Sequence, residues 1–213
     1  MDGTLLDLHF DNQFWVHHIP KKLAQKTGKT LQECYQEMGD EYAQVHGQLQ
    51  WYCLDYWAER LQIDIMEAKR ELEHLIKMRE DSIPFLDALR TSKRKVILVT
   101  NAHPDSLSLK VERTKLDDHI DTLISTHQFG VSKESQFLWK QLHEHVDFDP
   151  KTTLFVDDSE RILDAASEFG IAYTLGISNP DSQQADIKFV NHPQTNNYRE
   201  LLTSITKAPF VAQ

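Results

Sequence analysis

The chain has 213 residues, of which 40% are hydrophobic, and its formal net charge is -10. A chain of this length can bury a sizeable core, either as one domain with an insertion or as two small domains. The acidic balance argues against nucleic acid or an anionic membrane surface as the main partner, because either would require a basic patch. If the substrate is itself an anion, a local lysine or a metal ion must hold it.

The composition also argues against a membrane protein. No stretch approaches the roughly 18 apolar residues of a membrane span, and the acidic, polar N-terminus does not resemble a signal peptide, so we expect a cytoplasmic protein. Cys34 and Cys53 lie outside any CxxC or Cys/His motif, which predicts two reduced, buried thiols. None of the eleven histidines belongs to an HExxH motif, and only His103 lies close enough to Asn101 to matter.

The first stretch, Met1–Asp7, is a predicted turn. An acidic residue is followed at once by Gly3 and Thr4 and then by two leucines. Glycine permits a backbone path that other residues resist, so the pattern indicates the end of a strand that turns sharply into a loop and carries Asp2 outward. Taken alone, the motif is weak, and a surface turn is its default interpretation.

From about Asn12 to Asp81 the chain carries only helical signals. Apolar residues recur at steps of three and four, and no run of β-branched residues interrupts them. Thr30 and Glu33 have the spacing of a capping box, and Gly28 is typical of the end of the preceding helix. A second apolar stripe comprises Ile65, Ala68, Leu72, Leu75 and Ile76. This block is predicted to form a small helical bundle.

From Ile83 onward the pattern alternates between helix and strand. The predicted helices are Pro84–Leu89, Pro104–Thr114, Lys133–Val146, a segment with Ile162 and Phe169 on its apolar face, and a last helix capped by Asn197 and Glu200. The predicted strands are Val96–Val99, a weaker one at Thr122–Ser125, Leu154–Val156 and Ala172–Leu175. The apolar run Val96–Val99 is typical of a strand covered on both faces, and Leu154–Val156 is predicted to be buried. This alternation predicts an α/β fold with a doubly wound parallel sheet.

Polar residues follow the predicted strands at the edge where such sheets bind ligands. Thr100 and Asn101 end one strand, Asp157 and Asp158 end another, and Lys133 opens the helix after the strand between them. Each motif has a simpler interpretation: a strand-ending turn, an acidic helix start or a solvated lysine. When all three motifs lie at one edge of a sheet, they bring together more charged and polar side chains than a solvated surface needs.

The order Asp-Gly-Thr, Thr-Asn, Lys, Asp-Asp resembles the haloacid dehalogenase (HAD) superfamily of phosphohydrolases. The resemblance implies a Rossmannoid parallel sheet core, residues 1–13 and 82–213, with an inserted helical C1-type cap, residues 14–81. Four segments resemble more closely the members that hydrolyse purine nucleoside monophosphates such as GMP and IMP. They are Met1–Asn12, the aromatic stretch Trp51–Trp57, Thr100–Pro104 and Leu154–Glu160.

The resemblance also implies roles for the site residues. Asp2 would be the general acid and base, and its main chain would face a Mg²⁺ ion held by Asp157 and Asp158. Thr100 and Lys133 would be catalytic and, with Asn101, would bind the phosphoryl group of a small phosphomonoester. Oxygen ligands suit Mg²⁺, and Lys133 would offset the charge of the phosphoryl group. The aromatic residues from Trp51 to Trp57 would pack the bundle, or one of them would stack on a purine.

The chain departs from the family at its start. The nucleophilic aspartate of the family corresponds to the position directly before Met1, and the first core strand precedes it. Losing such a strand would cost on the order of 10 kcal/mol, so we expect a natural product with roughly ten more N-terminal residues. The alternative is an N-terminally truncated, catalytically inactive phosphate-binding protein. Dehalogenation is a third hypothesis, against which Asp2 argues because that reaction needs no acid for an oxygen leaving group.

Overall fold

The computed structural model describes residues 1–207. Its helices alternate with short parallel strands in the second half of the chain, while the first half is helical, as the sequence predicts. The α-helices are α1 His9–Asn12, α2 Ile19–Thr27, α3 Leu31–Val45, α4 Leu54–Leu61, α5 Ile65–Glu71, α6 Ser82–Thr91, α7 Pro104–Thr114, α8 Gln136–His145, α9 Glu160–Phe169 and α10 Leu202–Lys207. A π-helical segment, Gln13–His18, joins α1 to α2.

Within residues 1–207 the strands form two parallel sheets. The strands are β1 Ile97–Thr100, β2 Thr122–Ser125, β3 Leu154–Asp157, β4 Tyr173–Ile177 and β5 Gln194–Thr195. β1 pairs with β2 in the register Thr100 to Ser125, and β3 pairs with β4 in the register Asp157 to Gly176. β5 continues the second sheet beyond β4. The carboxyl ends of β1 and β3 carry the predicted site motifs.

The helical segment has a core of its own. One cluster of buried side chains runs through α2 to α5, and its members are Phe14, Ile19, Leu23, Cys34, Met38, Val45, Leu54, Trp57, Leu61, Ile65 and Ala68. Each large apolar side chain that leaves water contributes roughly 1.5–3 kcal/mol. The predicted capping box is confirmed, since Thr30 accepts from Glu33 N–H and Glu33 accepts from Thr30 N–H. Gly28 ends α2 at a φ of 73°.

The chain returns to its own beginning after the helical segment. Leu6 forms a bridge with Met78, Asp7 N–H donates to Lys77 O at 3.0 Å, and Arg79 N–H donates to Leu5 O at 3.0 Å. Leu6 also packs with Met1, Leu86, Leu98 and Leu116 in a core cluster beside β1. These contacts fix the opening turn against both the first sheet and α6.

Two details of the prediction are wrong. Lys133 does not open a helix: α8 begins at Gln136, because the Ser135 side chain accepts from Phe137 N–H and caps the helix there. Lys133 N–H is instead held by the Asn101 side chain at 2.9 Å. The strand at Leu154 is not buried throughout, since the Leu154 side chain is 47% exposed.

The remaining boundaries agree closely with the prediction. The helix at Pro104–Thr114 and the strand at Thr122–Ser125 match residue for residue, and the other strands differ by one or two residues at an end. In the described part of the chain, no helix combines the length and apolar character needed to cross a bilayer.

Candidate active site

The opening turn places Asp2 at the mouth of a cavity. The Met1 carbonyl accepts from the backbone N–H groups of Thr4, Leu5 and Leu6 and from the Thr4 hydroxyl, all between 2.9 and 3.2 Å. This tight turn requires a φ of +70° at Gly3. A Cβ on Gly3 would lie 2.3 Å from Asp158 Oδ2, so glycine also makes room for that carboxylate.

The carboxyl end of β1 holds the Thr100-Asn101 motif in a buried position. The Thr100 hydroxyl accepts from Ala102 N–H at 3.1 Å. The Asn101 side-chain oxygen accepts from Lys133 N–H and from the Thr126 hydroxyl, at 2.9 and 3.0 Å. Asn101 therefore fixes the loop that carries Lys133, a task that the sequence did not indicate.

Lys133 and the acidic pair meet across the ends of β1 and β3. Lys133 Nζ lies 2.6 Å from Asp157 Oδ2, and both side chains are buried. Burial lowers the pKa of Lys133, but the charge and hydrogen bond of Asp157 outweigh it and raise the pKa above its usual value. For Asp158, burial and the neighbouring Asp157 charge raise the pKa to about 7. Asp157 is thus paired directly with the lysine, whereas the Lys133 charge only partly offsets the effects that raise the pKa of Asp158.

These residues fit a divalent cation with oxygen ligands. The half-buried carboxylate of Asp158 lies beside Asp157, and a bound cation would relieve the repulsion that raises its pKa. Gly3 leaves the space that a side chain would otherwise take from the Asp158 carboxylate. Hard oxygen donors in such a set suit Mg²⁺.

A buried ion-pair chain that the sequence analysis missed lies beside Asp2. Lys110 Nζ is 2.7 Å from Asp2 Oδ1, an ion pair without aligned hydrogen-bond geometry, and donates to Asp11 Oδ2 at 2.6 Å. Lys69 Nζ donates to the other Asp11 oxygen at 3.2 Å. Both lysines are at most 2% exposed. We call Asp2, Lys110, Asp11 and Lys69 the buried ion-pair chain.

The signal for this chain was present in the helical pattern. Lys69 lies four residues after Ile65 and next to Ala68, on the predicted apolar stripe, and Lys110 lies beside Leu109 on the buried face of α7. A lysine on an apolar face is buried only when it is paired. Burial alone would raise the pKa of Asp11, but the two lysines outweigh it and lower the pKa to about 2.

Aromatic residues of the helical segment form part of the cavity wall. Trp15, Tyr42, Trp51 and Tyr52 line it. The rings of Tyr42 and Trp51 meet edge to face at 5.2 Å, and the Tyr42 hydroxyl donates to Trp15 O at 2.8 Å. Trp57, in contrast, is 1% exposed and packs the bundle. The aromatic stretch therefore divides between packing and cavity lining. We call the four lining residues the aromatic wall.

One cavity of about 360 Å³ joins all these groups. Every predicted site residue lines it: Asp2, Thr100, Asn101, Lys133, Asp157 and Asp158. The buried ion-pair chain and the aromatic wall line it as well. A cavity with clustered carboxylates, a buried lysine and an apolar wall can hold a small anion attached to a ring.

The model of the haloacid dehalogenase-like hydrolase family matches residues 1–170. This chain belongs to that family and is a hydrolase. It is 50% identical over 205 residues to the GMP/IMP nucleotidase YrfG of Escherichia coli (strain K12), covering 96% of this chain and 92% of that protein. The protein of the same name from Shigella flexneri matches equally well. The family membership inferred from the sequence motifs is confirmed.

Solved structures of the HAD family share the fold. A HAD phosphatase from Thermococcus onnurineus superposes with a TM-score of 0.80 at 20% identity, covering 99% of this chain and 97% of that one. A putative beta-phosphoglucomutase from Thermotoga maritima gives a TM-score of 0.66 at 18% identity, covering 97% and 96%. At these identities the likeness establishes the HAD-type α/β fold, and the residue roles rest on the site geometry.

Proposed function

We propose that this HAD hydrolase removes the phosphate from purine nucleoside monophosphates such as GMP and IMP, with Mg²⁺ as cofactor. The observation that carries the proposal is the convergence of Asp2, Thr100, Lys133 and the acidic pair Asp157-Asp158 on one cavity. The aromatic wall of the same cavity supports a substrate with a ring. The nucleotidase relative at 50% identity supports the choice of purine nucleotides.

Each residue has a defined task in this proposal. Thr100 and the backbone N–H of Asn101 bind phosphoryl oxygens, and Lys133 stabilises their charge. Asp157 and Asp158 hold Mg²⁺, which supplies positive charge to the phosphoryl group when bound. Asp2 protonates the leaving ribose oxygen and later takes a proton from the attacking water. Asn101 keeps Lys133 in place through its side-chain oxygen.

The proposal includes an aspartyl-phosphate intermediate. In the family motif, the carboxylate that attacks phosphorus belongs to an aspartate that corresponds to the position directly before Met1. Splitting hydrolysis into attack by a carboxylate and attack by water replaces one difficult step by two easier ones. Asp2 serves both steps from one side of the cavity.

The test is phosphate release from GMP, IMP, AMP and FMN with Mg²⁺, on the printed chain and on a form that includes the upstream-encoded residues. We expect the extended form to hydrolyse GMP and IMP faster than FMN. Asp158→Asn in that form should reduce turnover at least about a hundredfold, while Asp147→Asn, at an exposed position, should leave it unchanged. Unchanged turnover in Asp157→Asn and Asp158→Asn would contradict the metal assignment. Inactivity of both forms with intact folding would favour the phosphate-binding alternative.

The aromatic wall is tested separately with a substrate that lacks the base. Trp51→Leu should raise the KM for GMP by roughly tenfold, the loss expected when a stacking contact of about 1–3 kcal/mol is removed. The KM for ribose 5-phosphate should stay the same, because the phosphate site is untouched. An equal rise for both substrates would show that Trp51 acts on the phosphate site through packing.

A further inference from the structure

A thiol and two imidazoles meet at the edge of the cavity, apart from the carboxylates. One ligand atom each from Cys53, His103 and His127 lies within 4.8 Å of the other two, and all three residues are partly buried. Cys53 precedes α4, His103 caps α7, and His127 lies in the 3₁₀ turn after β2. The two imidazole rings meet edge to face with centroids 5.0 Å apart. Sequence spacing gave no indication of this cluster.

Groups behind the two imidazoles fix their orientation. His127 Nε2 lies 3.1 Å from the Asn101 carbonyl oxygen, and a carbonyl only accepts, so Nε2 carries the proton and Nδ1 keeps its lone pair. Burial and the neighbouring His103 lower the pKa of His127, which favours the neutral ring that binds metals. A carbonyl or carboxylate behind the imidazole is the usual arrangement for a metal-binding histidine.

His103 has carboxylates near both of its nitrogens. Nε2 lies 3.4 Å from Asp55 Oδ2, and Nδ1 lies 3.7 Å from Asp105 Oδ2. Without a metal, Nδ1 accepts from Asp105 N–H at 3.3 Å. A metal bound at Nε2 would place the ring proton on Nδ1. Nδ1–H could then donate a hydrogen bond to the Asp105 carboxylate. Asp55 would then lie next to the metal, in the position of a fourth ligand.

We propose that Cys53, His103 and His127 bind a zinc ion, with the Asp55 carboxylate or a water as the fourth ligand. Thiolate and imidazole are ligands that Zn²⁺ prefers, whereas Mg²⁺ requires oxygen. Ligand atoms around tetrahedral zinc lie roughly 3.3–3.6 Å apart, so the three side chains need to approach by about 1 Å. The ion would tie the start of α4 to the segments that follow β1 and β2.

The first test is the absorption spectrum with Co²⁺, which replaces Zn²⁺ and gives a thiolate-to-metal charge-transfer band in the near ultraviolet. Protein without a histidine tag, in excess Mg²⁺, should show this band. Cys53→Ser should lose it, and Cys34→Ser, which removes the other thiol, should keep it. Cobalt bound at the carboxylates gives no such band, so the two sites are distinguished. A band that is absent from the unaltered protein, or that survives Cys53→Ser, overturns the proposal.

The second test is Zn²⁺ affinity by competition with a chromophoric chelator. Cys53→Ser and His127→Gln should each bind at least about a hundredfold more weakly, and His143→Gln, in the last turn of α8, should bind as the unaltered protein does. Zn²⁺ should raise the Tm of the unaltered protein and of His143→Gln, but not of His127→Gln. Circular dichroism checks that each variant is folded. If Cys53→Ser does not fold, the affinity of His127→Gln decides the outcome of the test. Equal affinities across these proteins overturn the proposal whatever the outcome of the phosphatase assays.

Discussion

The two walls of the cavity are built on different principles. On one wall most charges have a directly paired opposite charge: Lys133 lies 2.6 Å from Asp157, and Lys110 lies between Asp2 and Asp11. Asp158, beside Asp157, is the exception. The other wall consists of aromatic side chains. The Tyr42 ring contacts Trp15 and Trp51, and the hydroxyl contacts include Tyr42 to Trp15 O at 2.8 Å and Tyr52 to Glu134 at 3.1 Å. A substitution in the charged wall leaves a buried charge unpaired. A substitution in the aromatic wall removes only contact area or one neutral donor.

Lys110→Met should have the largest effect on stability. The change leaves the half-buried Asp2 without its cation and Asp11 with Lys69 alone, and breaking a buried ion pair costs about 3–5 kcal/mol. Urea unfolding measures this loss, and Lys140→Met, at an exposed position on α8, is the control. Equal free energies of unfolding for the two variants would contradict the view that the charged wall depends on complete pairing.

Asp11 should dominate the response of the charged wall to acid. Its pKa is about 2 in the folded chain and about 3.9 in an unfolded one, so the unfolded chain binds more protons between these values. The stabilisation by Asp11 is complete above about pH 4 and is lost as the pH falls through about 2. It amounts to on the order of 2 kcal/mol.

Unfolding free energies measured from pH 5 down to pH 2 test this expectation. Asp11→Asn should flatten the fall of stability with acid, and Asp147→Asn, at an exposed position, should not. If Asp11→Asn and the unaltered chain have curves of the same slope, the pairing with Lys110 and Lys69 does not persist in solution.

Gly3→Ala distinguishes backbone strain from damage to the charged wall. A left-handed φ costs alanine about 1–2 kcal/mol, and Gly28→Ala has the same cost because its φ of +73° is similar and nothing lies within 4 Å of the added Cβ. Only Gly3→Ala pushes a methyl group into the Asp158 carboxylate. Turnover of the active form should therefore fall by roughly a hundredfold in Gly3→Ala and remain normal in Gly28→Ala. Equal turnover in the two variants would mean that the Asp158 carboxylate can move without consequence.

Tyr52→Phe should have the smallest effect, because it removes one neutral donor from the aromatic wall. Glu134 keeps its hydrogen bonds from Asn101 and Arg161, at 3.2 and 3.1 Å. The expected loss is about 0.5–1.5 kcal/mol, seen as a drop in Tm of a few degrees with the KM for ribose 5-phosphate unchanged. A loss as large as that of Lys110→Met would place Tyr52 among the residues that hold the charged wall.

The features that could be predicted from the sequence are those encoded by short motifs or by a regular hydrophobic period. Thr100-Asn101 and Asp157-Asp158 follow apolar runs, so their place at strand ends could be inferred, and the Thr30 capping box follows from two residues three apart. The start of α8 was misplaced because Lys133 belongs to a loop held by Asn101, a contact between distant segments. Helix propensity alone gives no information about such a contact.

Residues whose role depends on tertiary pairing were not predicted. A lysine is usually solvated, so the position of Lys69 and Lys110 on apolar helix faces could not identify their carboxylate partner Asp11, which the fold brings beside them. Cys53 and His127 lie in distant parts of the chain, and neither belongs to a Cys/His motif with metal-ligand spacing. The division of the aromatic stretch between packing and cavity lining also depends on how α3, α4 and the π-helical segment pack together, which periodicity does not specify.

The contact between Lys69 and Asp11 limits how this enzyme can be diversified. Lys69 lies in the predicted cap and Asp11 in the predicted core. Exchanging the helical insertion for that of a relative with another specificity would therefore leave one member of this ion pair without its partner. We expect functional chimeras only when both positions are inherited from the same parent. In natural sequences of this family, we likewise expect substitutions at position 69 to be accompanied by substitutions at position 11.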